Sequence, residues 1–87
     1  MKVYGWQSFR NECKGPHHQT REIVAARSKA EAARLAGYKH PARMFNLCET
    51  GNEREIAVAM TRPGVVFWAP ISSRAQYVAA EREDKPS

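Results

Sequence analysis

Apolar residues fall in short clusters separated by polar, glycine- and proline-bearing stretches, and the spacing within each cluster points to an element. Residues 3–9 (VYGWQSF) are rich in aromatic and β-branched side chains and read as a strand. On a strand, Tyr4 and Trp6 share one face, with Val3 and Phe9 on the other. Residues 11–19 contain Gly15-Pro16 and form a connecting loop. Residues 20–27 read as a second strand, antiparallel to the first. Its four consecutive apolar residues, Ile23, Val24, Ala25 and Ala26, suit a strand covered on both faces. Ser28 and Glu31 then make a capping box, residues 30–36 are strong helix formers, and Gly37 is placed to end the helix in the left-handed conformation.

The second half is less regular. Residues 38–40 are a link, and Pro41 fits the first turn of a short helix running through Met44 to about Leu47. Thr50 and Glu53 form a second capping box for a helix over 52–60, with Ile56, Ala59 and Met60 as its inner face. Pro63-Gly64 turns the chain into a short strand at residues 65–68, stopped by Pro70. Ser73 and Gln76 suggest a C-terminal helix over 74–82 anchored by Tyr77 and Val78, followed by a frayed polar tail. The expectation is an α+β fold: a small mixed three-stranded sheet with two to four short helices packed on it. Residues 1–70 form the domain, and residues 71–87 form the C-terminal helix and tail.

Composition narrows the class. Eighty-seven residues suit one domain, and a hydrophobic fraction of 43% can supply a core, although much of it is alanine. No apolar run approaches the roughly 18 residues a membrane span needs, and the N-terminus lacks the pattern of a signal peptide. Cys13 and Cys48 have no CxxC spacing and read as reduced thiols of a cytosolic protein. The net charge of +5 is uneven. Residues 1–43 hold nine Lys/Arg against three Glu, whereas residues 44–87 hold five against six Asp/Glu. Such asymmetry attracts phosphate backbones or acidic protein faces, and it also serves solubility alone.

Residues 31–38 resemble the first helix and turn of a helix-turn-helix. The fit then fails in part: the apolar positions expected on the second helix fall on Arg43 and Asn46, while Met44 and Leu47 lie one residue late. Cys13, His17, His18, His40 and Cys48 do not match the paired short spacings of zinc modules, so no metal or other cofactor is expected. Cys13 with His17 lacks a third, orienting group, and the five glycines are scattered rather than gathered in a phosphate loop, so no enzyme is expected either. Tyr4, Trp6 and Phe9 beside Lys2, Arg10 and Lys14 could stack on unpaired bases. Burial in the core accounts better for aromatics in so small a domain.

The stretches TREIVAARSKAEAARLAG (20–37), FNLCETGN (45–52) and PGVVFW (63–68) together resemble small proteins encoded by phages of actinobacteria, mycobacteriophages in particular. The likeness covers roughly residues 1–70, and an alanine- and arginine-rich composition fits a high-GC genome. The resemblance implies expression in the cytoplasm of a bacterial host and an accessory binding role. No established activity attaches to that group, so it transfers no functional residues.

The expectation is therefore non-catalytic binding of a host or phage macromolecule, with a protein as the first choice and nucleic acid as the alternative. Neither a membrane nor a small-molecule substrate is expected. Trp6, Arg43 and Phe45 are the candidates for a protein interface. Lys14, Arg21, Arg27, Lys39, His40 and Arg43 are the candidates for a nucleic-acid face. Pairing into a homodimer is a third class, since a thin core gains burial by association.

Overall fold

The structure, a computed structural model, describes residues 1–10, 18–71 and 77–80. The chain order is β1 (Lys2–Phe9), β2 (Gln19–Ala26), α1 (Lys29–Ala36), a 3-10 turn (Pro41–Arg43), β3 (Phe45–Glu49), α2 (Glu53–Thr61), β4 (Phe67–Pro70) and β5 (Val78–Ala79). The strands form one five-stranded sheet in the order β3-β1-β2-β4-β5. Every pairing is antiparallel, so the expected mixed sheet of three strands gives way to a wider antiparallel one.

The central hairpin agrees with the sequence reading. β1 and β2 pair without interruption from Lys2 opposite Ala26 to Phe9 opposite Gln19. Side chains alternate across a strand, which divides the core in two. On one face Tyr4, Trp6, Val24 and Ala26 pack with Ala32 and Ala33 of α1, and with Met44 and Val66. On the other face Val3, Ile23 and Ala25 pack with Ala59 of α2 and with Phe67. The run 23–26 is apolar throughout because β2 is covered by a helix on each side.

α1 keeps the expected boundaries. The Ser28 side chain accepts the Glu31 N–H at 3.1 Å, and the Glu31 carboxylate accepts the Arg27 N–H at 2.7 Å, one residue earlier than the standard box. Gly37 takes φ 90°, and the amides of Gly37 and Tyr38 donate to Arg34 and Ala33. This double closure is the Schellman arrangement, which favours glycine at the left-handed position.

Four expectations need correction. The helix expected over 41–47 is a single 3-10 turn, after which Met44 leaves in an extended conformation and residues 45–49 join the sheet beside β1. Met44 and Leu47 both reach the α1-side core from this path, which a helix at that position need not have provided. α2 is capped by Asn52, whose side chain accepts the Arg54 and Glu55 amides at 2.9 and 3.1 Å, and not by Thr50 with Glu53. Its inner face holds Glu55 and Ala59, while Met60 is exposed. The strand expected at 65–68 is shifted to Phe67–Pro70. Of the helix expected over 74–82, the described residues 77–80 form no helix: Val78 and Ala79 pair with β4, and residues 74–76 and 81–82 lie outside the described residues. Among the described residues no helix is long and apolar enough to cross a membrane.

Replacing Asn52 by Ala removes the acceptor of two amides and is expected to cost about 1 kcal/mol of stability. Glu53→Ala leaves that cap intact. Urea denaturation of the two variants separates the observed cap from the one suggested by sequence: a midpoint lowered by Glu53→Ala alone would contradict it.

Candidate functional site

The most developed polar constellation lies on the α2 side of the sheet. Arg21 belongs to the same face of β2 as Ile23 and Ala25, and its guanidinium forms a two-pronged pair with Glu55 of α2, Nε to Oε2 at 2.9 Å and Nη2 to Oε1 at 3.0 Å. The Tyr77 hydroxyl donates to Oε2, and the Thr50 hydroxyl donates to Oε1 at 2.7 Å. Thr50 Oγ1 also accepts the Asn52 amide at 3.1 Å, which ties the cap of α2 to the same carboxylate. The guanidinium passes over Gly5, where an added Cβ would lie 2.4 Å from Nη2. Glycine there is a space requirement set by Arg21.

Glu55 is 8% exposed. Burial alone would raise its pKa, but the Arg21 guanidinium, the Tyr77 hydroxyl and the Thr50 hydroxyl outweigh it and hold the carboxyl at about 2. The Tyr77 phenol moves the opposite way, up from its ordinary value, through burial and its bond to the carboxylate. Arg21 is likewise raised, chiefly by its bond to Glu55. A carboxylate that is saturated with donors and fixed in the charged form is badly placed to exchange protons near neutral pH. The cluster is a structural tie between β2, α2, the end of β3 and the lead into β5.

A second buried carboxylate sits on the α1 side. Glu22 is 3% exposed and accepts from Arg10 Nε at 2.8 Å, Arg10 Nη2 at 3.2 Å and Thr20 Oγ1 at 2.8 Å. The Arg10 guanidinium also stands 5.5 Å from the centroid of the Trp68 ring, within cation–π range. The buried Trp6 Nε1 has no hydrogen-bond partner among the described residues.

The residues picked from sequence separate into distinct groups. Trp6 is wholly buried between β1 and the α1 layer and presents no surface to a partner, because it fills the core there among Tyr4, Met44, alanines and valines. Tyr4 is buried with it, so β1 offers no aromatic platform; only Phe9 at its end is exposed. Arg21 is committed to Glu55 on the opposite side from α1 and does not join a basic face there. Lys14 lies outside the described residues, as do Cys13 and His17 of the metal and thiol constellations. Cys48 is exposed on β3, and among the described residues no group of three metal-ligating side chains comes together.

Arg27, Lys39, His40 and Arg43 do fall together along α1 and the turn after it, all exposed. Lys29 and Arg34, missed in the sequence reading, belong to the same layer and are also exposed. Residues 27–43 thus hold five Lys/Arg against one acid, Glu31. Glu31 lies 3.8 Å from Arg27 and 3.5 Å from Arg34, contacts through which it offsets part of that charge. Residues 50–62, which carry α2 across the sheet, hold Glu53 and Glu55 against Arg54 and Arg62, while Glu49, opposite Tyr4, lies on the α1 side near Lys2. Apolar periodicity could have indicated Arg34, which lies on the helix opposite Ala32 and Ala33; Lys29 shares their side of the helix and is exposed at its first residue. The helix-turn-helix does not form, because the segment that would be its second helix is the 3-10 turn and edge strand. Phe45 is 63% exposed at the start of that strand, beside Arg43.

No protein-family model matches the chain, and no curated protein or solved structure matches it.

Because Glu55 is depressed when folded, its contribution to stability is present above the ordinary carboxylate pKa of 4.5 and is lost as pH falls toward about 2. Glu55→Gln is expected to flatten the pH dependence of the urea midpoint between those values; an unchanged acid profile would contradict the assignment. Gly5→Ala is expected to displace the guanidinium and cost about 1–3 kcal/mol. Combined with Arg21→Ala, it should add much less than that, because the clash has gone.

Proposed function

We propose that this chain is a non-catalytic accessory protein, encoded by a phage and acting in the host cytoplasm, that binds nucleic-acid backbone through the basic layer of α1 and the turn after it. The observation that carries this reading is the exposure of Arg27, Lys29, Arg34, Lys39 and Arg43 along α1 and the segments flanking it, with one acid, Glu31, in residues 27–43. The sheet and α2 lie behind that layer and supply rigidity. Exposed lysines and arginines on one face contact phosphates without reading sequence. A recognition helix is not available at residues 41–47, so base readout from that segment is not part of the proposal.

A protein partner was the first choice from sequence, and the geometry weakens it by burying Trp6. It keeps one specific support: an exposed Phe45 next to Arg43 at an open sheet edge, an aromatic–arginine pairing common at interface centres.

A salt titration of binding to mixed-sequence duplex and single-stranded DNA tests the proposal. Micromolar binding at about 0.15 M salt is expected, with log affinity falling linearly in log salt. Lys29→Ala with Lys39→Ala should reduce the magnitude of the slope by roughly two, while Arg54→Ala on α2 should leave it unchanged. Absence of binding at low salt, or a slope indifferent to the two lysines, would remove the nucleic-acid reading.

A further inference from the structure

The sheet ends in two different edges. β5 is two residues long, whereas β3 has five residues, four of them exposed. An edge strand carries unpaired backbone N–H and C=O groups that another strand can take up, and proteins blunt such edges by shortness, charged side chains, proline, a bulge or cover. β5 is blunted by its length. β3 contains neither lysine nor proline. Its one irregularity is a bulge where the register against β1 shifts between Gly5 and Gln7, with Asn46 at φ 58°. The bulge bends the first half of the strand, and Gly5 opposite Cys48 and Tyr4 opposite Glu49 remain in regular pairing. Phe45 stands at the bent end, 63% exposed.

We propose that β3 pairs with β3 of a second copy, antiparallel and about a two-fold axis. The charge pattern of the edge selects this occupant. A base, Arg43, precedes the strand and an acid, Glu49, ends it. Antiparallel pairing sets the Arg43 end of one copy beside Glu49 of the partner subunit, and the two-fold repeats that contact at the other end. An acidic foreign strand would satisfy Arg43 but place negative charge near Glu49, and a basic one would do the reverse. Only a strand with charge at both ends matches both, and this chain carries one. Glu49 has an exposed local partner in Lys2 at 3.6 Å, a contact loose enough to be shared. Phe45 would be covered by the copy that crosses it, which gives the exposed aromatic a partner.

The geometry has a consequence for the surface. A two-fold perpendicular to the sheet leaves like faces on the same side, so two five-stranded sheets would join into one continuous sheet with both α1 layers on one side. The basic surface of Arg27, Lys29, Arg34 and Lys39 would be doubled, with Arg43 engaged by Glu49 of the partner subunit. The pairing itself stands or falls independently of nucleic-acid binding.

Sedimentation equilibrium of the full chain over a concentration series, with Arg43→Glu, Glu49→Lys and the double exchange, tests the pairing. The wild-type mass is expected to rise from 9.8 kDa toward twice that value. Each single reversal should weaken association by roughly tenfold, and the double exchange should restore it, because opposite charges again meet across the two-fold. Both side chains are exposed, and far-UV circular dichroism checks that each variant folds. Hydrogen exchange on the unaltered chain provides a second readout: the amides of β3 should gain protection as concentration rises. A mass of 9.8 kDa at all concentrations overturns the proposal. So does a dimer indifferent to the reversals, a double exchange as weak as the singles, or β3 protection that does not change with concentration.

Discussion

The pair formed by Arg21 and Glu55 is the constraint on which the α2 half of the molecule depends. One side chain comes from the central hairpin and the other from a helix far along the chain, and their two-pronged contact ties one to the other. Gly5 leaves room for the guanidinium, Thr50 and Tyr77 complete the carboxylate, and Asn52 holds the helix start through Thr50. Removing one member of a buried pair leaves an uncompensated charge and costs about 3–5 kcal/mol. Replacing the whole group by apolar side chains can be neutral, so the cluster is better understood as fixing the seat of α2 and β5 than as a large source of stability.

The other half is held by shape. α1 contributes Ala32 and Ala33, so its backbone can lie close to the sheet, and Trp6 supplies the volume that alanines lack. A helix whose inner face is that thin leaves the rest of its circumference free for charge. Each face thus carries one buried ion pair, Arg21–Glu55 on the α2 side and Arg10–Glu22 on the α1 side, and the exposed excess of positive charge lies along α1 and its flanks. Charge asymmetry along the sequence becomes charge asymmetry across the sheet because α1 and α2 cover opposite faces.

Much of this was legible where local rules agree. The β1–β2 hairpin and α1 emerged from alternation, a continuous apolar run, a capping box and a terminal glycine. The segment 41–49 was not legible, because Pro41 favours a helical first turn while the strand that follows depends on an open edge of β1 that only the folded sheet provides. β5 posed the same difficulty: Val78 and Ala79 have no strand pattern of their own and take that form against β4. The Arg21–Glu55 pair joins residues 34 positions apart, a separation that periodicity cannot see. Arg21 accordingly looked like a surface base. The basic layer was partly visible, since Arg27, Lys39, His40 and Arg43 lie near one another in sequence, and Trp6 was misplaced among surface candidates because aromatic character alone does not distinguish core from interface.

Titration of isotope-labelled protein with a short DNA duplex, followed by amide chemical shifts, tests the central claim most directly. The account predicts shifts concentrated in residues 27–43, with α2 and the Arg21–Glu55 cluster unmoved. Shifts centred on α2, or none in residues 27–43, would contradict it.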